Sequence, residues 1–158
     1  MMLWLATALA GTPTALVGSW SFTGGEAQIT AVKEQKEAVA QTFNFAIRPI
    51  VRSKLAQPMS VDTGIRIEAS DAGVTLHYDG AYPRTVSLEP KGEGYIDDKG
   101  TLTLQPQGEA WVLKGVGDDG GLVRRFQVSG DTLTLVSSIF SPQLEGQPSW
   151  TLTYTRGT

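Results

Sequence analysis

From Ile65 to the end of the chain, apolar and polar residues alternate with a period of two, and this pattern constrains the fold more than any other feature. Successive side chains of a strand point to opposite faces of its sheet, so alternation marks strands with one wet side and one dry side. Ile65, Ile67 and Ala69 alternate with Arg66 and Glu68; after the turn Ser70-Asp71-Ala72-Gly73, Val74, Leu76 and Tyr78 alternate with Thr75, His77 and Asp79. Further strands are predicted at 82–88, 101–105, 110–116, 122–129, 132–140 and 150–156, with Gly94-Tyr95-Ile96 as a short additional one. Turn residues separate most of them, among them Asp79-Gly80, Gln107-Gly108, Asp118-Asp119-Gly120-Gly121 and Ser129-Gly130-Asp131.

Ahead of this meander, Ala15 to Phe22 reads as a first strand ended by Gly24-Gly25. Residues 26–57 have helical character instead: Val32, Val39, Phe43, Ile47 and Ile50 recur at a spacing that puts them on one stripe. Pro49 lacks the amide donor of a continuous helix, which predicts a kink or a second short helix there. Consecutive strands joined by tight turns lie side by side, and such a sheet either closes or leaves two exposed edges. The expected fold is therefore mainly β: an up-and-down antiparallel β-barrel of about 8–10 strands with a helical insertion between the first and second strands. It occupies 15–158 as one domain, since no linker interrupts the 158 residues.

Composition narrows the function. Hydrophobic residues make up 41% and charged residues 18%, the balance of a globular chain. The net charge of −3 and the scattered basic residues argue against nucleic acid as a partner. There is no cysteine and one histidine, His77, which alternation sends to the wet face; no metal site and no cofactor are predicted. Neither a Gly-x-Ser-x-Gly turn nor a Gly-rich phosphate loop is present, and no catalytic residue is assigned. Met1 to Ala10 is apolar and ends in Ala8-Leu9-Ala10, the small-x-small pattern of a signal-peptidase site, although no basic residue precedes it. The segment reads as a short or truncated export signal, implying a secreted or periplasmic protein, or alternatively as a buried N-terminal strand.

Gly18-Ser19-Trp20 on the first strand, a helical insertion after it, a meander, and a last strand ending Tyr154-Thr155-Arg156 resemble the calycins, which include the lipocalins and the fatty-acid-binding proteins. The position of the helices favours the fatty-acid-binding group. Asp119 to Phe126 and Gly130 to Leu135 are similar to that group's last hairpins. The terminal Tyr-x-Arg reverses that group's Arg-x-Tyr, which bears on the ligand more than on the fold. The resemblance implies a binding protein rather than an enzyme. It also implies that Arg156 packs over the Trp20 ring, giving Gly18, Trp20 and Arg156 a structural role.

Alternation groups Tyr82 and Arg84 with Val86 and Leu88, Arg124 with Leu122, Phe126 and Val128, and Tyr154 and Arg156 with Trp150 and Leu152. A buried guanidinium needs a carboxylate, water or a bound anion. In one reading, Arg84, Arg124 and Tyr154 orient the carboxylate of a small apolar or amphipathic ligand, with Tyr82 and Phe126 also in the binding site. Its tail then lies against Trp111, Leu113, Leu133 and Leu135, beneath Phe43 and Ile47. In the other, the arginine heads reach water or pair with Glu68, Glu93 or Glu109. A barrel filled by Tyr78, Tyr82, Trp111, Phe126, Trp150 and Tyr154 would instead serve as a protein-interaction or accessory module of the cell envelope, with an enzyme as a third alternative. The helical segment is expected to cover one mouth; a second reading lays it, with Arg48, Arg52 and Lys54, on an anionic membrane surface.

Overall fold

The computed structural model describes residues 13–157, so the predicted export signal lies outside the described residues. Ten antiparallel strands form a closed barrel in which each strand pairs with its sequence neighbours and the last returns to the first. The strands are β1 (Gly18–Phe22), β2 (Gly64–Ser70), β3 (Gly73–Asp79), β4 (Arg84–Lys91), β5 (Gly94–Ile96), β6 (Leu102–Gln107), β7 (Ala110–Gly117), β8 (Gly120–Ser129), β9 (Thr132–Phe140) and β10 (Ser149–Arg156). Gly130, at φ 61°, opens the two-residue turn between β8 and β9, where a side chain would be strained. The first strand is shorter than its sequence suggests: Thr14–Leu16 forms a 3₁₀ turn, and buried Leu16 accepts a 2.8 Å hydrogen bond from Trp20 Nε1.

Two helices link β1 to β2: α1 (Gly25–Gln41), rich in strong helix formers, and α2 (Arg48–Leu55), which carries Pro49 in its first turn. Thr42 ends α1 by donating its hydroxyl to Val39 O at 2.7 Å, and Asn44 caps the short turn Phe45–Ile47. The helices are locked together by Arg52, which donates to both carboxylate oxygens of Glu37 at 2.6 and 2.9 Å. This break resets the helical phase, so the predicted stripe does not cover the mouth as a unit. Val32, Val39 and Leu55 are buried and Phe43 and Val51 half-buried, but Ile47 and Ile50 are exposed and Phe45 is 80% exposed. None of the described helices is long and apolar enough to cross a membrane.

The inner wall is a ladder of side-chain rungs. Across β7 to β10 one rung reads Trp111, Phe126, Leu135 and Leu152, all buried, and the next reads Leu113, Arg124, Ser137 and Trp150. The rung above that is Gly115, Leu122 and Ile139. The barrel is thus densely filled below Arg124 and loosely lined above it.

Candidate functional site

Above the Arg124 rung lies a cup of about 720 Å³, open to solvent between the end of α2 and the turns that follow β5, β7 and β9. That volume lies within the range of about 300–1,000 Å³ usual for small-molecule sites. Its walls are mainly apolar, from Leu55, Val86, Leu102, Leu113, Leu122 and Ile139. Tyr78, Arg84 and Arg124 reach it from below, while Lys54, Lys99, Asp118 and Asp119 stand at its rim. Asp97 belongs to the rim as a structural acid. It accepts hydrogen bonds from the amides of Leu102 and Thr101 at 3.0 and 2.8 Å, and these hold its carboxyl below the ordinary value.

The floor is built around a residue the sequence did not single out. Asp62, in the loop between α2 and β2, is only 1% exposed. Arg84 reaches it from β4 with a two-pronged pair at 3.0 and 3.3 Å. Arg124 approaches from the opposite wall, its Nη1 3.7 Å from Asp62 Oδ2, and donates from Nη2 to Pro58 O at 3.3 Å. The Tyr154 hydroxyl donates to the Asp62 carbonyl at 2.8 Å, pinning the loop's main chain, and Met59 is buried beside it. Tyr78 lies under both guanidiniums, 4.1 Å from Arg84 and 5.5 Å from Arg124 to its ring centre. Burial pushes the Tyr78 hydroxyl up, opposed by the two arginine charges. Burial, and after it the Asp62 charge, also raises the Tyr154 hydroxyl.

Arg124 is the under-satisfied member. It is 3% exposed, and its Nε has no hydrogen-bond partner among the described residues; the same holds for Ser137 Oγ, directly across on β9. Two buried polar atoms without partners therefore share one rung on neighbouring strands, and Arg124 is the one of the two residues that lines the bottom of the apolar cup, an arrangement that calls for a polar guest there.

The expected ligand residues divide. Arg84 and Arg124 meet at the floor, but their counter-ion is Asp62 rather than Glu68, Glu93 or Glu109. Tyr154 spends its hydroxyl on the loop. Tyr82 does not join the inner wall: Pro83 separates it from β4, and it is 39% exposed in the preceding turn, giving only its carbonyl to Arg84. Trp111 and Phe126, with Leu133 and Leu135, lie in the packed part of the barrel, so among the expected tail contacts only Leu113 lines the cup. The lower part is filled in the manner of the rival reading, while space persists above it.

Away from the cup, Arg156 lies over the Trp20 ring with its guanidinium 4.2 Å from the ring centre, and it donates to Val17 O and Ala15 O at 2.7 and 3.1 Å. A Cβ on Gly18 would come within 2.7 Å of the Arg156 Nη1. His77 sits on the outer wall with its Nε2 2.6 Å from Glu68 and its Nδ1 3.2 Å from Thr85.

Comparison with solved structures decides the architecture. Lipid binding protein 8 of Caenorhabditis elegans superposes with a TM-score of 0.53, covering 92% of this chain and 97% of its own at 8% identity. Fatty-acid-binding protein 1 of Echinococcus granulosus gives 0.51, covering 92% and 99% at 8% identity. This chain has the fold of the fatty-acid-binding proteins, a closed ten-stranded barrel with two helices between its first and second strands. The fluorescent protein UnaG is also similar, with a TM-score of 0.51, 14% identity, and coverage of 89% of this chain and 96% of that one. At these identities the likeness is one of calycin architecture alone. No family model matches the sequence, and no curated protein matches it.

Proposed function

We propose that this protein binds a small amphipathic molecule in the cup of its barrel, with an acidic end at Arg124 and an apolar body against the cup walls, and that it does so without transforming it. The observation that carries this reading is Arg124, a buried guanidinium whose Nε has no partner among the described residues, at the bottom of apolar walls. A desolvated guanidinium with unused donors is costly, and an anionic oxygen is the acceptor that relieves it most. Val86, Leu102, Leu122 and Ile139 offer hydrocarbon surface on the way out. Structural neighbours named as a lipid binding protein and a fatty-acid-binding protein support a lipophilic guest. Against catalysis stands the position of His77, the one histidine, on the outer wall.

The same proposal places the carrier in a secreted or periplasmic setting, on the strength of the apolar start ending in Ala8-Leu9-Ala10. Native mass spectrometry of the purified protein, followed by titration with a fluorescent fatty acid, tests the carrier reading. A co-purifying small mass or saturable uptake is expected. Neither appearing would overturn it.

A further inference from the structure

The floor of the cup carries two guanidiniums and one carboxylate, and this imbalance has a chemical meaning. Asp62 pairs with Arg84 at 3.0 and 3.3 Å but stands 3.7 Å from Arg124, beyond hydrogen-bond reach. The surplus positive charge therefore sits on Arg124, the more buried of the two arginines. The loop that carries Asp62 is held at two main-chain points, since the Tyr154 hydroxyl donates to the Asp62 carbonyl at 2.8 Å and Arg124 donates to the Pro58 carbonyl at 3.3 Å.

We infer that Asp62 is a specificity-determining residue that sets the headgroup charge of the guest at one negative unit. This rests on the carrier reading above and deepens it. A carboxylate arriving at Arg124 makes the floor neutral. A doubly charged phosphate monoester leaves one negative charge uncompensated beside the Asp62 carboxylate, in a setting where screening is weak and desolvation costly. The acids nearest the rim, Asp97, Asp118 and Asp119, add to that repulsion, and Lys54 and Lys99 stand at the rim against them.

The test is calorimetric titration at pH 8 with three probes of equal chain length: palmitate, hexadecyl phosphate and hexadecanol. A phosphate monoester is mostly doubly charged there, its second pKa being about 6. Wild-type protein is expected to prefer palmitate to hexadecyl phosphate. Asp62→Asn, which adds one positive charge to the floor, should shift that ratio toward the phosphate by about tenfold or more. Arg84→Gln, at a partly exposed position and therefore the safer variant for folding, removes one charge. It should weaken palmitate by about tenfold relative to hexadecanol, and it decides the matter if Asp62→Asn does not fold. Palmitate binding with the phosphate ratio unmoved by Asp62→Asn, or with palmitate and hexadecanol equally affected by Arg84→Gln, overturns the charge rule and leaves the carrier standing. Failure of all three probes to bind the wild type overturns both.

Discussion

The guanidinium of Arg156 rests 4.2 Å from the centre of the Trp20 ring while donating to the carbonyls of Val17 and Ala15, so one side chain joins the last strand, the first strand and the 3₁₀ turn before it. Trp20 is fully buried, and its ring nitrogen is committed to Leu16 O. Trp20→Ala should therefore destabilise the protein by about 3 to 5 kcal/mol, measured by urea unfolding. Arg156→Met, which keeps the packing volume but not the charge, should cost about 1 to 2 kcal/mol. A loss below about 1 kcal/mol for Trp20→Ala would show that this end of the barrel does not depend on the ring.

Gly18 sits at the same junction with φ 137°, and an added Cβ would meet the Arg156 Nη1 at 2.7 Å. Gly18→Ala is expected to lower stability by about 1 to 3 kcal/mol from backbone strain. The companion measurement is Gly18→Ala in an Arg156→Met background. A smaller penalty there would assign part of the cost to the contact; an equal one would assign it to the backbone.

The two helices should loosen in acid. Hydrogen bonds from Arg52, and then from Gln41, lower the Glu37 carboxyl from 4.5 to about 2. A carboxyl depressed in the folded state stabilises that state above its unfolded pKa, and the contribution disappears as pH falls through the folded value. Thermal melts should thus show a stability loss between about pH 4.5 and about pH 2 that Glu37→Gln removes. An identical pH profile for the variant would exclude this pair as its source.

Ser137→Ala should stabilise the protein alone by about 1 kcal/mol, because a buried hydroxyl without a partner is replaced by a methyl group. Chemical unfolding of the variant reads the effect, and a stability loss would mean that the hydroxyl is already satisfied in solution.

The barrel was legible because alternation is a local signal: inward parity from Ile65 onward needs only sequence spacing, and the short additional strand expected at Gly94-Tyr95-Ile96 is present as β5. The site was legible only where that parity runs unbroken, as at Arg84 and Arg124. It failed at Tyr82, where Pro83 ends the strand pattern before the tyrosine is reached, and at Ile47 and Ile50, where the break after α1 rotates the second helix relative to the first. Asp62 gave no signal at all. An acid between Val61 and Thr63 in a loop looks like any solvated turn residue, and its burial depends on two arginines contributed by β4 and β8. Inward parity at Arg84 and Arg124, with the rule that a buried guanidinium needs a counter-charge, pointed to a partner without locating it.

One contact at the seam between helix and barrel governs how this surface meets other molecules. β1 stops pairing with β10 at Phe22 and Tyr154, and just beyond that point Gln28 of α1 accepts from the Thr153 amide at 2.8 Å and donates to the Thr153 hydroxyl at 2.9 Å. The Thr23 amide still donates to the Thr153 carbonyl at 2.9 Å, and the Gln28 side chain completes that rung by accepting from the Thr153 amide as a peptide carbonyl would. Chain-to-chain polymerisation through that margin would first have to evict a seventeen-residue helix.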